Sequence, residues 1–186
     1  MRYSSEHKDA ARRRLLESGG RHAKRHGYAA AGMDALAAAA GVTTGSLYRH
    51  FQGKSDLFAA IVEHELARSA ALYQSSEVDG PAAVARVIRN YLSVAHVEHP
   101  ERGCVLPSLT AEVARADSTV RAAFESGVSD VHDRMAKAIG SADKAWAILA
   151  QIVGGVMLAR AMVDADARQR VLRSVESNCL SILNGG

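Results

Sequence analysis

Cysteine is scarce in this sequence, which contains only Cys104 and Cys179 among 186 residues. Two cysteines cannot build the multi-disulfide framework that stabilises small secreted domains. The first residues, Met1-Arg2-Tyr3, lead into a charged segment rather than the apolar core of a signal peptide, so we expect no export. The scarcity of cysteine therefore favours a reducing compartment, and we expect a cytoplasmic location.

Long apolar runs are also missing. Although 48% of the residues are hydrophobic, we find no run that approaches the ~20 residues that a membrane-spanning helix requires. The apolar fraction is nevertheless sufficient for a sizeable core in one or two small domains. We therefore expect a globular chain with no membrane partner.

The sequence carries no P-loop, no Gly-x-Ser-x-Gly, no His-Glu-x-x-His and no Cys-x-x-Cys motif. His96 and His99 lie three residues apart, with His64, Glu98 and Glu101 as conceivable neighbours, but a metal site would need a third converging ligand. Pocket or surface histidines explain them more simply. We therefore expect no enzyme activity, no metal and no cofactor.

Alternating strand patterns are absent too, and apolar residues recur instead at the 3–4 spacing of helices. This periodicity predicts an all-α protein of about nine helices. A break at Asp79-Gly80-Pro81 follows a helix that begins near Lys54. We predict an N-terminal domain over residues 1–57 and a second helical domain over residues 58–186, with the helix from Lys54 linking them.

The charge is unevenly distributed. Residues 1–57 contain 10 Lys/Arg and 5 Asp/Glu, a net +5, whereas residues 58–186 contain 13 and 15, a net −2, which together give the overall +3. A basic segment joined to a slightly acidic remainder predicts a polyanionic partner for the N-terminal end only.

The most informative stretch is residues 41–51, which reads as a turn followed by a very short helix. Gly41 ends a preceding helix over residues 33–40, and Thr43 or Thr44 can cap the next one. Leu47 and Phe51 lie four residues apart and share a face that can be buried. The opposite face exposes hydroxyl, guanidinium and imidazole groups. Two short helices joined by a glycine-containing turn predict a helix-turn-helix that places its second helix in the major groove of DNA.

Four segments in this order resemble the TetR/AcrR family of bacterial transcriptional regulators: Gly27-Tyr28, residues 36–42, residues 44–51 and residues 54–57. The resemblance implies a three-helix DNA-binding domain followed by a helical domain that binds a small effector and forms a homodimer. It also implies a palindromic double-stranded DNA operator and repression by steric block. The sequence leaves open the effector's identity and whether the effector induces or co-represses.

The resemblance also assigns DNA contacts to the residues that match the family motif: Thr43, Thr44, Gly45, Ser46, Tyr48, Arg49, His50 and Lys54. We expect Thr43, Tyr48, His50 and Lys54 mainly to hold phosphates and set the register. Thr44, Gly45 and Arg49 are the candidates for base edges. Arg49 could bind a guanine in bidentate fashion or reach only a phosphate.

The first predicted helix, residues 6–26, departs from the family pattern. His22-Ala23 replaces the usual Leu-Phe, and Gly19-Gly20 lies inside the helix, where each glycine costs about 1 kcal/mol relative to alanine. We therefore expect a marginal helix that is bent near the glycine pair.

For the effector pocket, the apolar and sulfur-containing side chains of the second domain suggest Tyr91, Cys104, Phe124, Met135 and Met157. Each of these residues could equally be ordinary core.

Cys104 lies in a Gly-Cys-aliphatic segment just before a predicted helix. This segment resembles that of a family subgroup in which some members sense electrophiles or oxidants. A thiol-based sensor acting on DNA through Cys104 is therefore the alternative function, and an inert buried thiol is the simpler reading.

The last two helices are apolar on more than one face and contain Gly154-Gly155. Two such helices from each of two chains could form a four-helix dimer interface. The other possibility is that both faces are buried within one subunit.

Overall fold

The computed structural model describes residues 2–73 and 80–185, with side chains from residue 8 onward. These residues form ten α-helices and no strand, so the predicted all-α class is confirmed. The helices are α1 (Arg2–His26), α2 (Met33–Ala39), α3 (Thr44–Tyr48), α4 (Lys54–Ala71), α5 (Pro81–Tyr91), α6 (Val94–Glu98), α7 (Leu106–Val113), α8 (Ser118–Ile139), α9 (Ala142–Ala161) and α10 (Ala165–Leu183). A short 3-10 turn, Pro100–Arg102, precedes α7.

Helix α1 is continuous through Gly19-Gly20, and the bend expected near this pair stays a prediction. Both glycines are buried, because α1 packs closely against α4. A Cβ atom at Gly19 would lie 3.0 Å from Cδ1 of Ile61, and one at Gly20 would lie 2.6 Å from Oε1 of Glu65. The glycine pair thus permits close helix packing, which compensates for its low helix propensity.

The N-terminal helices enclose a small apolar core. Leu36, Leu47 and Phe51 are almost completely buried, and so is the small side chain of Ala23. The ring of Tyr28 stacks on that of Phe58 with centroids 4.1 Å apart, and its hydroxyl donates a hydrogen bond to the carbonyl of Lys54 at 2.6 Å. An aromatic pair contributed from outside α1 therefore supplies bulk that α1 lacks.

Helix α4 joins this N-terminal unit to the rest of the chain. It packs against α1 on one side and α8 on the other, and half of its residues are buried. Gly127 of α8 allows the closest approach, since a Cβ there would lie 2.7 Å from Cδ1 of Leu66. The predicted boundary between residues 57 and 58 falls within α4. Asp79, part of the predicted break, lies outside the described residues.

One predicted helix is divided in two. Val84, Ile88, Tyr91, Leu92 and Ala95 follow the 3–4 spacing of a single helix in the sequence, but α5 ends at Tyr91 and α6 begins at Val94. The reason is local, because Ser93 caps α6 by accepting a hydrogen bond from the backbone N–H of His96 at 3.2 Å. This division accounts for ten helices in the described residues rather than about nine.

The sequence analysis predicted no segment long and apolar enough to span a membrane, and helix α9 departs from that prediction. Among the described helices it alone is long and apolar enough to cross a membrane by length and composition, with 39% of its most apolar window buried in the protein. It packs against α7, α8 and α10, as the core helix of a globular domain does. Its apolar character continues onto its exposed face, where Leu158 is 58% accessible.

Candidate nucleic-acid interface and effector cavity

The short helix α3 is fixed at both ends by local contacts. Thr43 is its N-cap, and its Oγ1 accepts a hydrogen bond from the backbone N–H of Ser46 at 3.2 Å. Thr44 instead donates its hydroxyl hydrogen to Asp34 of α2. Of the two threonines that could cap the helix, the structure selects Thr43, and the Thr43 hydroxyl hydrogen remains available to a phosphate.

We define the reading surface as the predicted DNA-contacting residues of and around α3: Thr43, Thr44, Gly45, Ser46, Tyr48, Arg49 and His50. All of them are exposed or partly exposed, whereas Leu47 is completely buried and anchors the helix. Tyr48 is 53% accessible, which is high for an aromatic side chain in a small domain. A Cβ atom placed at Gly45 would meet none of the described residues within 4 Å, so a partner can approach the backbone there.

Cations from α1 extend the reading surface. The pKa of His50 lies below its ordinary value because the ring is partly desolvated and because Lys8, Arg12 and Arg49 lie nearby. The Arg12 guanidinium lies 5.3 Å from the centre of the Phe51 ring. Sequence reasoning missed Lys8 at this position, because only the packing of α1 against the helix-turn-helix brings it there. The surface can therefore attract a polyanion over two helices.

Lys54, the remaining predicted contact, stands at the first turn of α4. Its ammonium donates a hydrogen bond to the carbonyl of Ala29 at 2.7 Å and lies 5.5 Å from the centre of the Tyr28 ring. These contacts hold the side chain in place and leave further N–H donors for a phosphate.

A cavity of about 660 Å³ lies inside the second helical unit, formed by α4, α5, α6 with the segment after it, α7, α8 and α9. Of the five predicted pocket residues, Tyr91 and Cys104 line it. The other three do not: Met135 is completely buried in the core, Phe124 packs at the edge of the core, and Met157 lies on the outer face of α9. Apolar spacing alone could not distinguish a cavity wall from a core.

Cys104 is held in the cavity wall by several hydrogen bonds. Its sulfur accepts one from the backbone N–H of Leu106 at 3.4 Å and lies 3.5 Å from the hydroxyl of Ser69. Its backbone N–H donates to Nε2 of His96 at 2.9 Å. The second cysteine, Cys179, is buried, and burial raises the pKa of its thiol to about 11.

His96 uses both ring nitrogens within the protein. Nδ1 donates to the carbonyl of Tyr91 at 2.7 Å and Nε2 accepts from Cys104, so the ring is neutral in this arrangement. Burial, opposed by this backbone hydrogen bond, holds the pKa of His96 below its ordinary value. His96 therefore has no lone pair for a metal, and in the described part of the chain no group of three or more His, Cys, Asp or Glu residues could hold one.

Several contacts join the N-terminal unit to the cavity domain, among them a hydrogen bond from Ser55 to Asp117, and two of them involve α1 and the residues just after it. We call the first of these two the inner tie. The Lys24 ammonium of α1 is buried and donates to Oε2 of Glu65 and to the carbonyl of Gly103, both at 2.8 Å. Glu65 and Gly103 also line the cavity. A buried ammonium is stable only with such partners, so the inner tie fixes α1 against the cavity wall.

The second contact, the outer tie, is made by Glu112 of α7. The Glu112 carboxylate accepts hydrogen bonds from the backbone N–H groups of Tyr28 and Ala29, at 2.9 and 2.6 Å. Gly27, with φ of +83°, ends α1 and turns these N–H groups towards Glu112. The outer tie does not touch the cavity.

Helices α9 and α10 pack closely against each other inside the subunit. Gly155 is buried, and a Cβ there would lie 3.2 Å from Val175 of α10. Gly154 faces the other way, and no atom of the described residues would lie within 4 Å of a Cβ there. Around it, Met157 and Leu158 form an exposed apolar patch. The two glycines thus serve different faces of α9.

Comparisons with known proteins agree with this geometry. Residues 15–61 match the family model described as bacterial regulatory proteins, tetR family. No curated protein matches the chain significantly. Among solved structures, the reduced form of NemR from E. coli is 22% identical, with a TM-score of 0.75 over 90% of this chain and 96% of that one.

Two further structures have the same fold. A TetR-family regulator from Agrobacterium tumefaciens is 19% identical, with a TM-score of 0.74 over 92% of this chain and 98% of that one. FadR from Bacillus subtilis in complex with stearoyl-CoA is 14% identical, with a TM-score of 0.69 over 93% and 97%. The helix-turn-helix segment of this chain is therefore similar to that of the tetR family of bacterial regulatory proteins, and the chain shares its overall fold with these three structures.

Proposed function

We propose that this chain is a ligand-responsive transcriptional repressor that binds a palindromic operator as a homodimer and is released by a small effector. The observation that carries the proposal is that Glu65 lines the cavity and also holds Lys24 of the DNA-binding unit. An effector that displaces the Glu65 carboxylate would loosen α1. Such a ligand releases DNA only if it binds the DNA-incompetent arrangement more tightly than the competent one.

The reading surface supports the DNA-binding part of the proposal. Thr43, Tyr48, His50 and Lys54 are proposed to hold phosphates, and Thr44, Gly45 and Arg49 to meet base edges. Ser46 lies between these groups on the same surface. The side chain of Thr44 is oriented by Asp34 of α2, so this hydroxyl presents its lone pairs outward.

Dimerisation is proposed through α9 and α10, as the sequence suggested. Supporting this, α9 carries Gly154, Met157 and Leu158 on an exposed face, and Val163 at its end is 96% accessible. Met157, predicted as a pocket residue, falls on this face. A two-fold dimer would place two reading surfaces about one DNA turn apart, ~34–36 Å for the compact case.

The test is selection of DNA from a random pool by the purified protein at moderate salt. We expect a palindrome, which then serves as the operator for the variants.

Arg49→Ala should relax the base preference at one position of the operator, at a cost of about 1–3 kcal/mol of discrimination. Lys54→Ala should weaken binding to all DNA sequences alike. It should also reduce the slope of log affinity against log salt concentration by about the contribution of one phosphate contact. Recovery of only salt-sensitive, sequence-blind DNA would contradict the proposal.

A second candidate function is a thiol-based sensor acting through Cys104. It is favoured by the position of the sulfur, which lies in the cavity wall beside the N–H of Leu106 and the hydroxyl of Ser69. Operator release by N-ethylmaleimide that disappears in Cys104→Ala but persists in Cys179→Ala would support it. Release that survives Cys104→Ala would exclude it.

A further inference from the structure

Cationic side chains outnumber carboxylates among the described residues that line the cavity. Arg68, Arg86 and Arg102 line it, whereas Glu65 is the only carboxylate among its lining residues in the described part of the chain. The Glu65 carboxylate is shared by two cations, because Lys24 lies 2.8 Å from Oε2 and Arg68 lies 3.5 Å from Oε1. Arg102 forms an exposed ion pair with Glu101 at 3.8 Å. Lys24, Arg68 and Arg102 thus face two carboxylates, Glu65 and Glu101, so these groups keep a small excess of positive charge.

The charge and the apolar surface occupy different parts of the cavity. The side chains of Arg68 and Arg102 are 57% and 78% accessible, so their guanidinium groups lie at the solvent-facing rim. Val131, Leu149 and Ile152 are almost completely buried and form the floor. A molecule that binds both the arginine rim and the apolar floor must have an anionic end and an apolar body.

A third group in the cavity has only a weak partner. The Tyr91 hydroxyl is buried and meets no oxygen or nitrogen acceptor among the described residues, and its side-chain neighbour is the sulfur of Cys104. Burial is the first reason that its pKa lies well above the ordinary value, so the hydroxyl keeps its proton and remains a donor. Because a thiol sulfur is a weak acceptor, an oxygen of a bound molecule would satisfy this buried donor better.

We propose that the effector is an amphipathic organic anion, with its charged oxygens at the Arg68–Arg102 rim, its apolar body over the Leu149–Ile152 floor and an oxygen accepting from Tyr91. This assignment deepens the proposed function, on which it rests for its regulatory meaning. A cationic amphiphile would face the arginines without a free carboxylate to receive it. A neutral apolar molecule would leave both the rim and the Tyr91 hydroxyl unsatisfied.

The test compares three probes with the same ten-carbon chain by isothermal titration calorimetry: decanoate, decan-1-ol and decylammonium. Decanoate should bind about tenfold or more tightly than decan-1-ol, because charge-assisted hydrogen bonds to arginine are the strong ones, and decylammonium should bind most weakly. The double variant Arg68→Gln/Arg102→Gln should abolish the preference for decanoate. The matched control, Arg121→Gln/Arg173→Gln, removes the same charge from exposed positions outside the cavity and should keep the preference.

Three results would overturn the assignment. They are a preference for decan-1-ol or decylammonium, a decanoate preference that survives the double variant at the rim, and no binding of either decanoate or the aromatic anion 1-anilinonaphthalene-8-sulfonate. Because these titrations contain no DNA, they separate the two proposals. Anion binding without operator binding would refute the repressor, and operator binding without anion binding would refute the effector class.

Tyr91→Phe provides an independent measurement. Removing a buried hydroxyl that has only a weak sulfur acceptor should not lower the melting temperature of the free protein, and it should weaken decanoate binding several-fold. A lower melting temperature would show that the hydroxyl is bonded within the protein, and unchanged affinity would remove Tyr91 from the site.

Discussion

The two ties between the DNA-binding unit and the cavity domain differ in almost every physical respect. The inner tie pairs two buried charges, Lys24 and Glu65, beside the cavity, whereas the outer tie has one carboxylate, Glu112, accepting from backbone N–H groups away from it. A ligand in the cavity can compete with the first and does not touch the second. On the proposed function, the N-terminal unit would therefore be held by one contact that the effector loosens and by another that it leaves in place, so that the unit would pivot rather than detach.

The largest expected effect is on the inner tie. Lys24→Met should leave Glu65 buried with only the partly exposed Arg68 as a charged partner, at a cost of about 3 kcal/mol in the free energy of unfolding. Urea denaturation would measure it. The double variant Lys24→Met/Glu65→Met should recover most of the loss, because replacing both charges by apolar groups is often nearly neutral. A double variant as unstable as Lys24→Met would contradict this account.

Next in size is Gly20→Ala. The new Cβ would lie 2.6 Å from the Glu65 carboxylate, which Lys24 holds in place, so the loss from crowding should exceed the gain in helix propensity. We expect a net destabilisation of about 1–2 kcal/mol. Gly19→Ala is the matched control, since it meets only the flexible end of Ile61. Thermal denaturation should show that Gly20→Ala is less stable than Gly19→Ala. The reverse ranking would show that the close packing is not at Gly20.

Breaking the outer tie should cost less. Glu112→Gln keeps one acceptor oxygen but loses its charge, so we expect about 1 kcal/mol of lost stability and weaker operator binding. The response to effector should persist, because the inner tie is intact. Glu125→Gln, at an exposed position on α8, controls for the change of charge. If Glu112→Gln abolished the effector response, the outer tie would be part of the switch.

The smallest effect concerns pH and acts on the reading surface without touching either tie. In the free protein, burial and then Lys8, Arg12 and Arg49 hold the pKa of His50 below its ordinary value, whereas a DNA phosphate would stabilise the protonated ring. Operator affinity should therefore rise as the pH falls from 8 to 6, by less than about tenfold, the equivalent of one pKa unit. Measurement of operator affinity at a series of pH values should show this slope of affinity against pH, and His50→Gln should make the slope smaller. An unchanged slope in the variant would assign the effect to another group.

Much of the DNA-binding unit could be predicted from the sequence because its determinants are local. Gly41 ends α2 and Thr43 caps α3, and each of these facts depends on neighbours within a few residues. The apolar spacing of Leu47 and Phe51 is equally local, and it marks the face that is buried. The cavity could not be predicted in this way. Its lining comes from residues 65–152, and the same apolar spacing places Met135 in the core and Met157 on the surface.

The role of Gly20 shows the same limit. Helix propensity predicted a weak point, and only the position of Glu65, 45 residues later in the sequence, explains why the glycine is needed. Likewise, Ser93 breaks a helix that apolar periodicity alone predicts to be continuous, because a local cap outweighs the spacing.

The way α3 is held also has an evolutionary consequence. Of its five residues only Leu47 is buried, and substitutions at exposed positions usually change stability by no more than about 0.5 kcal/mol. The side chains facing outward from α3 can therefore change without unfolding the protein. Copies of this gene could acquire new target sequences at little cost, while the cavity and its signal are inherited unchanged.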